Sequence, residues 1–498
     1  MLDGSLTMWT FSIIVLVLLA YLIRVNQLLS QTPDELRKLS GPRWSPEQLR
    51  ETYKRLQNNP ISYKDKLPPR LHRRYIVTGG SGLVGGFIVE QLLARGTPAG
   101  HIRILDIRRP ERDDAADEVD FAHTDITSRA SVDAAFARPW PPDAARLPLT
   151  VFHTAAVILA SERSAARYAF PEAVNVGGTR NVLGAARRSG ADVFSATSSA
   201  SVAIRPVRPL LFPLSARERA NFWQVLDERD FFAPPPPRPR ERYFGNYPAS
   251  KAAAERIVCE ADGEGFRTGC IRPANGVYGN PTDNTVGDPL SRDVLPTWIP
   301  HIIQPFVHGI NVALAHLQHE SALLHRPPSS SSPLCSGRPF VVTDPNPPIA
   351  YADLYAAIST LSAHPFAAVR VPPAAALLLA HALELYDDLA LQLRLPPLRG
   401  DARLLKPGLF SICTHLVAAD AAARRPVADG GLGYEGAVRT LDGVVAEVLA
   451  WNREHGREEA GWEEAAKGRG KGKGERKAYT TSIALADKIQ KSLGLGGR

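Results

Sequence analysis

The 498-residue chain is 44% hydrophobic and 22% charged. That ordinary globular balance leaves length for one large core or two modest ones and excludes collagen-like, disulfide-scaffold and wholly disordered classes. Its four cysteines, Cys259, Cys270, Cys335 and Cys413, form no Cys-x-x-Cys pair and no zinc-ligand spacing, which points to a reducing compartment. The net charge of +8 is concentrated at the two ends: residues 24–75 hold 12 Lys and Arg against 5 Asp and Glu, and residues 467–498 hold 9 against 2, leaving −6 for the rest. An acidic body between basic ends suits a membrane surface and argues against a nucleic-acid-binding face.

Between Asp3 and Arg24 no side chain ionises, and Leu6 to Ile23 is largely apolar and long enough to cross a bilayer core as a helix. The start Met-Leu-Asp-Gly and the missing small-x-small site differ from a cleaved signal peptide. Residues 1–24 are therefore expected to be a transmembrane anchor, with Trp9 and Tyr21 at the interfaces and the basic segment on the cytosolic side. Residues 25–72 read as a basic tether with a helix or two, started at Thr32-Pro-Asp-Glu35 and Ser45-Pro-Glu-Gln48.

From Tyr75 onward, short β-rich runs alternate with Ala-rich helical runs. Strands are expected at Tyr75–Thr78, Ile102–Leu105, Thr150–His153, Asp192–Ser195 and Thr268–Ile271. Such alternation gives an α/β fold, a doubly wound parallel sheet with helices on both faces. The expected division is a domain over 73–275, a smaller C-terminal α/β lobe over 276–455, and a basic, largely disordered tail over 456–498. Pro234–Pro239 and Pro327–Cys335 read as surface loops, and Gly468–Lys477 as disordered. Residues 482–493 suit either a weak membrane-surface helix or a frayed tail. The apolar run Pro372–Leu385 is too short to span a bilayer and suits a pocket roof, a helix resting on lipid, or a core helix.

Directly after the first strand come Gly79, Gly80, Ser81, Gly82, Leu83, Val84 and Gly85, and then an apolar helix. Glycines are needed there because a pyrophosphate must reach backbone N–H groups at a helix N-terminus with no Cβ in the way. The second strand ends at Asp106, 21 residues beyond Gly85, where a carboxylate accepts the ribose hydroxyls of NAD. Arg108 and Arg109 follow, and an arginine there is how NADP is accommodated. The balance favours NAD. This is a Rossmann-type cofactor site.

Tyr247-Pro-Ala-Ser-Lys251 places a phenol and an ammonium on one helical face. A free tyrosine, with a pKa of about 10, is a poor base until a nearby cation favours the phenolate, which Lys251 supplies. Upstream, the strand ending at Thr197-Ser198-Ser199 offers a hydroxyl to hold a substrate oxygen against Tyr247.

In this order the motifs resemble the extended short-chain dehydrogenase/reductases, Rossmann-fold enzymes with a Ser-Tyr-Lys triad. The match covers roughly residues 73 to 452 and includes Asp125 in His-Thr-Asp-Ile-Thr, His153-Thr-Ala-Ala156, Asn175-Val-Gly-Gly-Thr179, Glu255 and Arg272-Pro-Ala-Asn-Gly-Val-Tyr-Gly279. Within the family the chain looks most like the membrane-associated 3β-hydroxysteroid dehydrogenase branch, including sterol-4α-carboxylate 3-dehydrogenases, as a fungal-type anchored member. The pointers are Phe306 to His316, Gly337 to Asp344, and Gly431 to Tyr434 through Trp451. The resemblance implies catalytic Ser199, Tyr247 and Lys251, and further cofactor contacts at Asp125, Ile126, Ala155, Ala156, Asn175 and Pro273. It also implies oxidation of a ring 3β-hydroxyl on a sterol-like lipid with NAD, a homodimer and no metal, and the anchor predicts an endoplasmic reticulum location.

Two departures stand out. Ser199 and Tyr247 are 48 positions apart, longer than usual, because an insert intervenes that is placed to reshape the substrate mouth. The family's Val-Tyr-Gly continuation is here Val202-Ala-Ile204. A second reading keeps the fold and makes the substrate a sugar nucleotide or another small alcohol or ketone, although residues 294–323 contain no Lys or Arg for a diphosphate. A third is a tethered nucleotide-binding scaffold without turnover, which the intact triad opposes. His301, His308 and His316 lack carboxylates at ligand spacing and read as structural.

Overall fold

The computed structural model describes residues 2–110, 118–233, 237–325 and 333–455, together with 485–486 and 489–490. Of the expected loops, 234–236 and 326–332 lie outside the described residues, as does the tail from 456 apart from those four positions. There, Ala486 is buried and Ile489 packs against the same core.

Seven parallel strands make the central sheet: β1 (Arg74–Thr78), β2 (Ile102–Asp106), β3 (Asp120–His123), β4 (Leu149–His153), β5 (Ala191–Thr197), β6 (Arg267–Pro273) and β7 (Pro339–Val342). Their spatial order is β7-β6-β5-β4-β1-β2-β3. The winding reverses between β1 and β4, which opens a crevice at the carboxyl ends of the strands. All five expected strands are present, each longer than its apolar run. β3 and β7 were not expected as strands; both are short edge strands, and β3 carries Asp120 and His123 within four residues.

Nine helices matter here: α1 (Leu2–Leu29), α2 (Pro46–Asn58), α3 (Leu83–Ala94), α4 (Gly178–Arg188), α5 (Asn246–Glu260), α6 (Gly309–Leu324), α7 (Tyr351–Leu361), α8 (Pro373–Leu393) and α9 (Thr440–His455). The period of two along β1 separates two cores. Ile76 joins Val151, Val182 and Val258 on the α4/α5 face, whereas Tyr75 and Val77 join Ile88, Leu92 and Leu314 on the α3/α6 face. α6 approaches α3 so closely that a Cβ on Gly309 would lie 2.4 Å from Phe87. Gln91 Nε2 adds a 2.9 Å bond to the Ile310 carbonyl.

α6 and β7 come from beyond residue 275, so the second half of the chain completes the sheet as well as building the smaller lobe. The segment read as a tether is packed into that lobe: Leu49, Tyr53 and Leu56 of α2 share a core with Leu354 of α7 and with Val448 and Trp451 of α9. α1 is long and apolar enough to cross a membrane, by length and composition. Residues Met8 to Leu19 carry exposed apolar side chains, while Val25, Leu28 and Leu29 are buried against the body and the Tyr21 hydroxyl donates to the Leu210 carbonyl.

Two buried carboxylates hold the lobe to the sheet. Asp344 accepts from the His308 N–H at 2.8 Å, Asn311 Nδ2 at 2.7 Å, the Tyr278 hydroxyl at 2.9 Å and Thr440 Oγ1 at 2.8 Å. Residues from four of the sequence motifs thus meet at one hub. Asp283 accepts the N–H groups of Gly279, Thr285, Val286 and Gly287 at 2.7 to 3.2 Å. Glu447 of α9 lies beside it, 4% exposed. Burial, and then the charge of Asp283, pushes the Glu447 carboxyl far above the usual range. Burial raises the Asp283 carboxyl as well, but its bonds to Glu447 and to the loop N–H groups oppose that rise, so of the two Glu447 holds its proton more firmly.

A raised folded-state pKa contributes stability that is complete below the unfolded value of about 4.3 and declines as pH rises toward the folded value, by about 1.4 kcal/mol per unit. Glu447→Gln, which needs no proton, is expected to raise Tm relative to the parent at neutral pH and to lose that advantage near pH 4. A Tm difference that does not change with pH would refute the assignment; thermal melts across that range decide.

Candidate active site

The glycine loop is built by close backbone contacts. Gly79 has φ +69°, a left-handed conformation that glycine adopts without strain, and a Cβ there would sit 2.7 Å from the Ala155 N. A Cβ on Gly85 would lie 2.2 Å from the Gly79 carbonyl oxygen, and one on Gly80 2.8 Å from Ile104. Gly82 is the N-cap of α3 and supplies no side-chain bond, so the first N–H groups of Leu83 and Val84 face the loop without a side-chain cap. An uncapped helix N-terminus under a Cβ-free cradle fits a dinucleotide pyrophosphate.

Asp106 ends β2 with its carboxylate turned to this loop, accepting the Ser81 N–H at 3.1 Å and the Arg108 N–H at 3.3 Å. Burial raises its pKa, and those N–H bonds oppose the rise. Ser81 Oγ donates to the Arg108 carbonyl at 2.7 Å. Arg109 is directed to β3, its guanidinium 4.9 Å from the Phe121 ring centre. Asp125 ties itself to Thr127, accepting its N–H at 2.9 Å and its hydroxyl at 2.8 Å. Ile126 is buried against Gly178, where an added Cβ would meet it at 2.6 Å. Ala155 and Ala156 leave β4 beside Gly79, and Pro273 ends β6 opposite Val342.

Asn175 is 2% exposed. Its Oδ1 accepts the Val157 N–H at 2.9 Å, and its Nδ2 donates to the Val157 carbonyl at 3.1 Å and to Ser250 Oγ at 2.9 Å. That side chain clamps the segment leaving β4 to α5.

Tyr247 and Lys251 lie on one face of the first turns of α5, both buried, and Ser199 stands just beyond β5. Burial pushes the Tyr247 phenol up to about 12, partly offset by its hydrogen bond with Ser199. Burial also pulls the Lys251 ammonium down to about 8. Its Nζ donates to the Thr197 carbonyl at 2.5 Å. Ser199 Oγ also meets Ser201 Oγ at 2.8 Å. The three groups can hold an alcohol oxygen, exchange its proton and support a phenolate.

Further residues support these groups: some stand in motifs already read from the sequence, whereas Asp230, Asn246, Glu162, Lys406 and Asp387 were not singled out there. His316 of α6 bonds both Ser195 Oγ and Thr197 Oγ1 at 2.8 Å, fixing the end of β5 from below. Ser198 Oγ donates to Glu255 at 2.6 Å, and Glu255 pairs with fully buried Arg272 at 2.6 Å, which also meets Asp230 at 2.7 Å. Asp230 belongs to the insert, which is docked on the body: Trp223–Leu226 pairs in parallel with His415–Ala418. Asn246, at the start of α5, donates its N–H to the Glu162 carbonyl at 2.8 Å. The Glu162 carboxylate meets Lys406 at 2.5 Å, and Lys406 meets Asp387 of α8 at 2.6 Å. His308 caps α6 through the Ile310 N–H, and His301 bonds the Leu29 carbonyl at 2.8 Å.

Residues 75–305 match the NAD dependent epimerase/dehydratase family. The chain is 31% identical over 261 residues to a 3β-hydroxysteroid dehydrogenase/Δ5→4-isomerase of Mycobacterium tuberculosis, covering 49% of this chain and 60% of that protein. It is 26% identical over 294 residues to human 3β-hydroxysteroid dehydrogenase type 7, covering 56% and 70%. A sterol-4-alpha-carboxylate 3-dehydrogenase, decarboxylating, of Schizosaccharomyces pombe is 27% identical over 283 residues, covering 53% and 68%. The chain thus spans less than two thirds of the mycobacterial relative. Among solved structures, an epimerase from Methanothermobacter thermautotrophicus aligns with TM-score 0.50 at 18% identity, over 82% of this chain and 99% of that one, a likeness of fold alone. The glycine cradle, the seven-stranded parallel sheet and these matches together make residues 75–305 similar to the NAD dependent epimerase/dehydratase family and to dehydrogenases of the 3β-hydroxysteroid type.

Proposed function

We propose that this protein oxidises the 3β-hydroxyl of a sterol-like lipid by hydride transfer to NAD. The observation that carries the reading is the hydrogen bond between Ser199 and buried Tyr247, with Lys251 one turn along the same helix, in a chain that also builds the Gly79–Gly85 cradle and is similar to 3β-hydroxysteroid dehydrogenases. The nicotinamide, when bound, supplies the hydride acceptor. Ser199 orients the substrate hydroxyl, Tyr247 takes its proton, and Lys251 favours the phenolate by its charge. Asp106 receives the adenosine ribose hydroxyls and repels a 2′-phosphate, and the turn of Arg109 onto Phe121 supports NAD over NADP. Ser81, Asp125, Ile126, Ala155, Ala156 and Pro273 complete the cofactor wall, with residues 73–275 as the cofactor-binding part and most of 276–455 as the substrate lobe. α1 anchors the enzyme in the endoplasmic reticulum membrane with the catalytic body cytosolic, as a homodimer.

Full-length protein in detergent, given 3β-hydroxysterols with NAD or NADP, is expected to form reduced cofactor with NAD. Tyr247→Phe lowers kcat by about 10²- to 10⁴-fold while NAD binding, read by protein fluorescence, is retained. Turnover of sugar nucleotides but of no sterol would replace the substrate reading, and an undiminished Tyr247→Phe enzyme would end the catalytic one. Because kcat/KM for NAD reports the free enzyme, its pH profile is expected to bend downward above about 8, where Lys251 loses its proton. A profile rising without a break through that region would remove Lys251 from the role.

A further inference from the structure

The two departures in the sequence, the long insert between Ser199 and Tyr247 and the continuation Val202-Ala203-Ile204, meet at one place. Arg238, near the end of the insert, donates from Nη1 to the Val202 carbonyl at 3.1 Å and to the Ile204 carbonyl at 3.2 Å. These carbonyls lie in and just beyond the 3₁₀ turn Ala200–Ala203, of which Ser199 is the N-cap. The same guanidinium stands 4.7 Å from the ring centre of Tyr243, four residues before Tyr247. One side chain thus touches both the segment that carries Ser199 and the segment that leads to Tyr247. Among the described residues its partners are those two carbonyls and that ring, with no paired carboxylate.

The insert also closes the inner side of the turn. Ala200 and Ile204, both fully buried, share a core with Leu226 of the insert, Phe244 and Leu416. Leu226 ends the strand Trp223–Leu226, which is fixed from outside the insert by its pairing with His415–Ala418. The Ser199 turn is therefore held between an apolar wedge and an arginine, and the insert supplies both.

We propose that Arg238 is a positioning residue that clasps the Ser199 turn to the segment before Tyr247 and so fixes the separation of the two groups that handle the substrate hydroxyl. The proposal rests on the assignment of Ser199 and Tyr247 to catalysis and not on the identity of the substrate. Arginine suits the place because the edge of its planar guanidinium donates to main-chain oxygens while its face lies against an aromatic ring. The effect is one of geometry, where a misplacement of about 1 Å can cost about 10²-fold in rate.

The test uses the full chain in detergent, with Arg238→Met, Arg238→Lys and, as a control from the same insert, exposed Arg219→Met. Hydrogen exchange followed by mass spectrometry reads the turn directly. Peptides covering 199–204 and 243–247 are expected to exchange faster in Arg238→Met than in the parent or in Arg219→Met, with Arg238→Lys between. Given a 3β-hydroxysterol and NAD, Arg238→Met is expected to lower kcat by up to about 10²-fold while NAD binding is retained, and Arg238→Lys to recover part of the loss. In a Ser199→Ala background, followed as single turnovers, Arg238→Met is expected to cost nothing further, because it acts through Ser199. Equal fold losses in the two backgrounds overturn the positioning role, and so does unchanged exchange in both peptides. Loss of NAD binding in both Arg238 variants makes the residue a holder of the fold and also overturns it. A parent that oxidises no sterol removes the substrate reading of the site, and the exchange of 199–204 then decides the clasp alone.

Discussion

A buried ammonium is the constraint around which the site is arranged. Lys251 is only 7% exposed, and a cation out of water needs oriented dipoles to remain charged. The Thr197 carbonyl supplies one at 2.5 Å, which requires the end of β5 to be held still. It is held on two sides: the Ser198 N–H donates to the Ile271 carbonyl of β6 at 2.7 Å, and His316 grips Ser195 and Thr197 from α6. Burial, His319 and Lys251 itself all lower the pKa of His316. The supporting imidazole is therefore neutral, and it fixes the strand without adding a second positive charge beneath the first.

The same economy of charge governs the other side of the catalytic helix. Glu255 takes the Ser198 hydroxyl and Arg272 together, and Asp230 from the insert completes the neutralisation of Arg272. An insertion in this place thus contributes a carboxylate to the shell behind the triad. Glu162, Lys406 and Asp387 form a second closed group at the start of α5. Removing one partner from such a buried set leaves an uncompensated charge, typically costing about 3–5 kcal/mol. The position of Tyr247 consequently depends on residues from β4's outgoing loop, α8 and the segment after it.

The parts legible in the sequence are those whose residue type is dictated by local backbone contact. Gly79 and Gly85 have no substitute where an added Cβ would lie 2.7 and 2.2 Å from main-chain atoms, and the apolar runs of β1, β2, β4, β5 and β6 are long because both faces of the sheet are covered. Asp120–His123 lacks that signature and passed unnoticed, whereas Pro339–Val342 is apolar and buried throughout but only four residues long, and was visible only as a motif. Contacts between distant segments leave no periodic trace: Lys406 and Glu162 are 244 positions apart. Asn175 is expected from its motif to line the cofactor site, yet the bonds it makes depend on where Val157 and Ser250 fall in space. The segment 25–72 looked like a tether because its polar residues dominate, while Leu49, Tyr53 and Leu56 suffice to dock α2.

Tyr247 and Lys251 stand in an inverted order in the free protein, the phenol near 12 and the ammonium near 8. Burial is the first cause of both shifts, since it disfavours the charged form of each group. An alcohol that entered first would meet a phenol holding its proton firmly. The site becomes a base only when further positive charge arrives within the same buried volume, because a phenolate is favoured by every cation near it. Ser199 cannot provide that, being a neutral donor already shared with Ser201. On the proposed reading, the chain's own residues therefore favour an order in which the cofactor site fills first and proton transfer from the substrate hydroxyl follows.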